Sequence, residues 1–330
     1  MHTDWIDEFL GLMTGSTITL DAIERAHQLK DKNLPDKLYK FRAINDYAIS
    51  NFETDTVWLC SADKYNDPYE CATTWSTEEL LRQAGKVDFD KISRQAKLEE
   101  HLSATEMDTV RASFDPMEQI IRLMVEKNER IPKKAKEKES SVLLDALSSR
   151  ARETTIPGLN RFVQQGTRIC SFSARVDSTV MWGHYADKHT GFAIEYDVTS
   201  WPDGEIRRRM LYPVVYRREL FDATKYLLQA IPKKDFNNLY GLIAAIHKSP
   251  DWSYENEWRF VLLWDEAFPN RNYPMPKPSA VYVGSRITPE NKARLSEIAA
   301  KKRIPIYRMD LSTSEFKLVP HEMESTENRE

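Results

Sequence analysis

Apolar and polar positions change their spacing several times along this chain, and each change predicts an element boundary. Residues 4–29 carry apolar side chains at helical spacing, with Trp5, Phe9, Leu10 and Met13 on one face and Leu20, Ile23 and Leu29 on another, so two short helices are expected. Two compact β-rich runs follow, KLYKFR at 37–42 and TVWLCS at 56–61, with the helical AINDYAISNF between them. Asn66-Asp67-Pro68 reads as a turn, because Pro68 fixes its own φ and drives Asp67 towards extended backbone. From about 76 to 165 the pattern is charged and periodic at 3.6 residues, interrupted at Pro116, Pro132 and Pro157, which predicts a multi-helix insertion. Its mixed-sign run Lys133 to Glu139 reads as a solvated face.

Beyond the insertion, Thr167 to Phe172 are β-formers and Asp177-Ser178 offers a helix N-cap before Val180, Met181, Trp182 and Tyr185. Phe192, Ile194 and Tyr196 then alternate as in a strand. The run 205–217 predicts strands around Pro213, and two helices follow, the second through Phe236, Leu239, Leu242 and Ile246. DWSYENEWRFVLLW, 251–264, begins as a loop and becomes an apolar strand. SAVYVGS predicts a strand, ITPENKARLSEIAAKK a helix opened by Thr288-Pro289, and IPIYRMD and FKLVP two further strands. The acidic tail 321–330 is expected to be disordered. Strands and helices do not alternate regularly, which argues against a doubly wound sheet. The expected architecture is one α+β domain over 1–330, with a mixed, split β-sheet core and a helical insertion at 76–165.

Composition narrows the function classes. With 330 residues, 41% of them hydrophobic, the chain can bury a substantial core. A formal net charge of −4 gives no global pull towards nucleic acid or membrane, and no apolar run approaches the roughly 18–20 residues that span a bilayer. The N-terminus is acidic and amphipathic, unlike a secretory leader. Cys60, Cys71 and Cys170 lack metal-ligand spacing and are odd in number, which suits a reducing cytoplasm.

Candidate chemistry gathers at 167–197, where serines, histidines and aspartates lie among apolar residues. His184, Asp187 and His189 suggest a hydrolase or nuclease, but the five-residue step between the histidines is not the i, i+4 spacing of a metal pair, so no metal is expected. Ser171 or Ser173 with His184 lacks the glycines of a nucleophile elbow. A glycosidic-bond site is the other candidate. Glu255 and Glu257, two apart in an extended segment, would share a face, and two like charges so placed drive their pKa values apart. The competing reading makes Glu257 and Arg259 a surface pair with Glu255 solvated.

LYKFR, YNDPYE, CSFSA, MWGHYADKHTGFAIEYD and ENEWR, in this order between Leu38 and Arg259, resemble the bacterial family called domain of unknown function 2971 (DUF2971). That resemblance carries no activity. A second one does: Arg42 in YKFR, Ser171-Phe172-Ser173 and Glu255-Asn256-Glu257 resemble the motifs of arginine–serine–glutamate ADP-ribosyltransferases, with Phe172 in place of the central threonine. It implies NAD as substrate, with Arg42 holding the NAD phosphates, Ser171 supporting the nicotinamide-ribose pocket as a catalytic residue, and Tyr39 and Ser173 as further cofactor-binding residues. Tyr185 or Trp182 would stack on nicotinamide beside His184. Glu257 would bond the ribose 2′-hydroxyl and stabilise the oxocarbenium ion, and Glu255 would activate an acceptor that is a protein, a nucleic acid, a small molecule or water. Asp67 and Glu70 are candidates for substrate contact or for capping the next helix. A toxin or phage-defence effector fits this reading. The alternative is a non-catalytic sensor of a defence system that binds a protein partner through the helical insertion.

Overall fold

The computed structural model describes residues 4–15, 18–202, 204–230, 239–263 and 270–323. Its frame is a ten-stranded mixed sheet. The strands are β1 (Lys37–Arg42), β2 (Thr56–Ser61), β3 (Thr167–Ser173), β4 (Phe192–Asp197), β5 (Leu211–Pro213), β6 (Glu257–Leu263), β7 (Arg271–Pro274), β8 (Ala280–Val283), β9 (Ile306–Leu311) and β10 (Leu318–Glu322). Their spatial order is β7-β2-β3-β1-β4-β8-β9-β10, with β6 paired to both β3 and β5. All pairings are antiparallel except β8 with β9.

The centre of the sheet is β3. One edge pairs along its whole length with β6, from Glu257 opposite Ser173 to Leu263 opposite Thr167. The other edge is shared. β2 pairs with it at Ile169 and Arg168, and β1 meets it at Ser173. Between those contacts β1 and β2 part, and the sheet forks.

Helices α1 (Asp4–Met13), α2 (Leu20–Lys32) and α3 (Asp46–Glu53) form where the spacing predicts them. Thr19 and Asn45 cap α2 and α3 by accepting backbone N–H bonds. The segment after β2 is helical: α4 (Thr77–Val87), α5 (Phe89–Gln95), α6 (Ala104–Ala112), α7 (Pro116–Lys127) and α8 (Lys136–Gly166). α5 to α7 hold a small apolar cluster of their own, Phe89, Leu98, Leu102, Val110 and Ile120. Pro116 opens α7 as a first-turn proline, but Pro157 does not end a helix: it lies inside the 31-residue α8. α9 (Thr179–Tyr185) starts at Ser178 as expected. Then come α10 (Ile206–Met210), α11 (Thr224–Ala230), α12 (Tyr240–Ile246) and α13 (Pro289–Lys302).

Two further expectations need correcting. Residues 206–210 are helical rather than extended, with Glu205 capping the turn by accepting the Arg207 N–H. Two residues of the presumed tail, His321 and Glu322, pair with Arg308 and Tyr307 and so close the sheet edge. The remainder of that tail, 324–330, lies outside the described residues, as does Phe236. No described helix is long and apolar enough to cross a membrane.

Two glycines set the turn after α9. A Cβ on Gly191 would stand 2.2 Å from the Arg42 carbonyl oxygen, and one on Gly284 would stand 2.1 Å from the His189 carbonyl oxygen. Asp187, Lys188 and His189 all have positive φ in the same turn. Close backbone approach therefore locks α9 against β1 and β8.

Candidate functional site

A cavity of about 100 Å³ opens beside the fork of the sheet. Tyr39, Lys40 and Phe41 of β1 line it, with Tyr65 and Asn66 from the turn after β2 and Ser171, Phe172 and Ser173 of β3. Met181 and Tyr185 of α9 close one side, and Lys248, Glu255 and Glu257 form the charged end. Tyr39, Ser173 and Glu257 sit in one row across β1, β3 and β6.

Behind that charged end lies a buried ion network. Arg259, wholly buried, reaches both oxygens of Glu70, with the Nη2–Oε2 bond at 2.9 Å. It also reaches both oxygens of Glu257, at 2.9 Å from Nε and 3.1 Å from Nη2, and donates to the Ala245 carbonyl. Lys248 Nζ bridges the two glutamates of the ENEWR motif, 2.5 Å from Glu255 and 3.0 Å from Glu257. The Tyr185 hydroxyl donates to the remaining oxygen of Glu255. Burying five charges is tolerable only because every carboxylate oxygen of the network finds a donor.

Glu255 and Glu257 meet for a reason the spacing did not show. Glu255 ends a 3₁₀ turn, Pro250–Glu255, and Asn256 follows in the left-handed region at φ 44° before β6 begins at Glu257. Asparagine tolerates that conformation better than most residues. The segment is therefore not extended, and both carboxylates are buried rather than one being solvated and the other a surface partner of Arg259.

Their charge states differ. Burial, then the negative charge of Glu257, lifts the Glu255 carboxyl above its ordinary value, with Lys248 and Tyr185 pulling the other way. Burial also opposes ionisation of Glu257. There the adjacent Arg259 and Lys248, with a hydrogen bond from Ser171, outweigh it and hold the group well below the usual carboxylate range. Burial pushes the Tyr185 phenol up, and its bond to Glu255 adds to the shift. The result is a carboxylate fixed in its ionised form beside a carboxyl poised to take up a proton.

Tyr185→Phe removes one of the two side-chain donors to Glu255. It is expected to lower stability by about 1.5–3 kcal/mol in urea denaturation, the usual range for a hydrogen bond to a charged group. Because that bond favours the ionised carboxyl, its loss also moves Glu255 titration to higher pH.

The other expected site residues separate. Ser171 Oγ lies 3.4 Å from the Tyr65 hydroxyl and also serves Glu257, so it belongs to the site. Ser173 lines the cavity, but its hydroxyl donates at 2.6 Å to the Glu255 carbonyl and accepts from the Arg175 N–H, which makes it a fastener of the 3₁₀ turn. Trp182 is buried core: its indole N–H donates to the Val176 carbonyl and its ring packs edge-on against Phe41 at 5.2 Å. It presents no free face to a ligand. His184 is exposed and its Nδ1 is 3.1 Å from the Tyr254 hydroxyl.

Arg42 is not in the lining. Its guanidinium bonds Asn51 of α3 at 3.3 Å instead. As a phosphate holder for this cavity it is misplaced. Asp67 accepts from the Tyr69 N–H in its own turn, whereas Glu70 is a full member of the ion network rather than a helix cap. For His184, Asp187 and His189, Asp187 accepts from Thr190, His184 pairs with the Tyr254 hydroxyl, and the buried His189 Nδ1 has no hydrogen-bond partner among the described residues. Among the described residues no three His, Cys, Asp or Glu side chains are grouped to hold a metal ion.

Sequence reasoning missed Lys248 and Arg259. The signal for Arg259 was present: a lone arginine inside the apolar run EWRFVLLW has to be buried and paired. Lys248 carried no comparable mark.

No curated protein and no solved structure matches the chain. Residues 181–260, the segment that supplies Tyr185, Lys248, Glu255, Glu257 and Arg259, match the family model described as protein of unknown function (DUF2971), which is the family its motifs resemble.

Proposed function

We propose that the cavity is an enzyme site that cleaves the N-glycosidic bond of NAD, by ADP-ribosyl transfer or by NAD hydrolysis. The observation that carries this reading is the divided carboxylate pair. An ionised Glu257 stands on the lining next to a Glu255 whose carboxyl holds its proton more tightly than usual. In such a reaction the bond from the ribose C1′ to the nicotinamide nitrogen breaks, and nicotinamide leaves with the electron pair. Positive charge then develops on the ribose, and a fixed carboxylate in a water-poor site stabilises it. A nucleophile, water or an acceptor group, adds at C1′ and gives its proton to Glu255 acting as general base.

The walls suit one ring at a time. Tyr39, Phe41, Tyr65 and Tyr185 offer aromatic surface to the nicotinamide or ribose end. Cavities that enclose whole drug-sized ligands run to about 300–1,000 Å³, so at about 100 Å³ the remainder of a dinucleotide extends past the fork. Purified protein is expected to release nicotinamide from NAD, with ADP-ribose appearing free or on an acceptor. NAD left intact after long incubation with folded protein sinks the reading.

A second reading draws on the insertion. Phe114 is 73% exposed, with the Arg82 and Lys86 cations 4.7 and 4.6 Å from its ring centroid. That is a feature of a recognition module binding a protein partner through these helices. The two readings separate on NAD turnover.

A further inference from the structure

The fork of the sheet brings a different cation to the cavity from the one its strand motif suggests. β2 leaves the edge of β3 at Ile169 and β1 meets it at Ser173, so neither strand pairs with the edge between them. Lys40 fills that gap. Its Nζ donates to the Ser171 carbonyl at 2.8 Å and stands 5.8 Å from the Phe172 ring centroid, which fixes the ammonium at the fork.

Lys40 and Lys248 are the two cations of the lining. Lys248 is neutralised twice, by Glu255 and by Glu257. Lys40 forms no ion pair with a carboxylate among the described residues, and its one hydrogen bond is to a neutral carbonyl. An ammonium carries three donors, and a half-buried one has given up part of its water shell. An anion supplied by a ligand would restore what a carbonyl cannot, since charge-assisted bonds are roughly twice as strong as neutral ones. Arg42 is not positioned to do this. It is two residues further along β1, outside the lining, and engaged with Asn51.

We infer that Lys40 is the anion-binding residue of this cavity and takes a phosphate of the ligand, and that Arg42 does not. The inference deepens the nucleotide reading above and rests on it only for the choice of phosphate as the anion. A nucleotide would enter with its sugar end towards Glu255 and Glu257 and a phosphate left at the fork, where the carboxylates cannot repel it.

The test is calorimetric titration of ADP, and separately of inorganic pyrophosphate, into wild type, Lys40→Gln, Lys40→Arg and Arg42→Gln at two salt concentrations. ADP is expected to bind the wild type, at least about tenfold more weakly to Lys40→Gln, and within a few-fold of wild type to Lys40→Arg. Arg42→Gln is expected to stay within about twofold. The salt dependence of binding should be shallower in Lys40→Gln, because a charge pair has been removed. An unchanged affinity in Lys40→Gln overturns the inference, as does a loss in Arg42→Gln equal to that in Lys40→Gln. Absence of any ADP or pyrophosphate binding by wild type overturns it too. ADP bound through Lys40 without NAD turnover would refute the proposed reaction and leave this site standing. NAD turnover with an unaltered KM in Lys40→Gln would do the reverse.

Discussion

Arg259→Met is expected to cost about 3–5 kcal/mol of folding stability, read from urea denaturation at neutral pH. The arginine is wholly buried and engages Glu70, Glu257 and the Ala245 carbonyl at once. Methionine fills much of its volume but leaves two buried carboxylates facing each other with Lys248 as the remaining cation. Removing one member of a buried ion network is costly because the others stay desolvated, whatever the net worth of the intact network. Arg259→Lys restores the charge but not the planar fork that serves two carboxylates, so it should recover only part of the loss.

The same network gives stability an acid dependence with a definite sign. Glu257 is held below the ordinary carboxylate range in the folded protein. Its contribution is complete above the unfolded value of about 4.3 and drains away as pH falls below that, until Glu257 itself takes a proton. Glu70 and Glu255 act in the opposite sense, since burial raises both and their folded forms bind protons more readily than the unfolded chain does. In Arg259→Met the depression of Glu257 should shrink to what Lys248 and Ser171 still supply, and the acid slope due to it should flatten.

The second large effect concerns the chemistry. Glu255→Gln is expected to lower kcat for nicotinamide release by about 10²–10⁴-fold, the usual contribution of a positioned general base. Substrate affinity should change far less, because glutamine retains an acceptor for Tyr185 and keeps the shape of the cavity wall. The wild-type rate should rise with pH through a carboxyl lying above the ordinary value of about 4.3, because the base must be ionised to accept a proton. That ascending limb should be missing in Glu255→Gln and displaced to higher pH in Tyr185→Phe. Glu257→Gln is a less selective probe. It would remove the charge that stabilises the developing cation, and also the carboxylate that Arg259 and Lys248 share.

How far the sequence foretold this arrangement depends on separation along the chain. Local periodicity located most strands and helices, including β1, β2, α9 and α13, because each is specified by its own spacing and cap. The short helix at 206–210 was missed where β-compatible Leu211 and Tyr212 follow directly and pulled the expectation towards strand. At the site, Glu255, Glu257, Ser171 and Tyr185 were legible as chemistry-bearing residues in unusual company. Glu70 was visible only as a turn residue, since its partner Arg259 is 189 positions away. Lys248 lies seven residues before Glu255, and the left-handed Asn256 that brings both glutamates to one ammonium leaves no trace in spacing. Arg42 misled for the opposite reason: its strand was read correctly, but its guanidinium is engaged by Asn51 of α3 instead of lining the cavity, a partner nine residues on that the motif does not reveal.

The divided charge states of the two glutamates can be measured without any substrate. Carbon-detected NMR titration of the glutamate side-chain carboxyls, assigned through Glu255→Gln and Glu257→Gln, follows each group in the folded protein. Glu257 should stay ionised down to the acid limit of the folded state, while Glu255 takes up its proton above the free-glutamate value of about 4.3. Two carboxyls titrating together near that value, or Glu257 protonating before Glu255, would contradict the account.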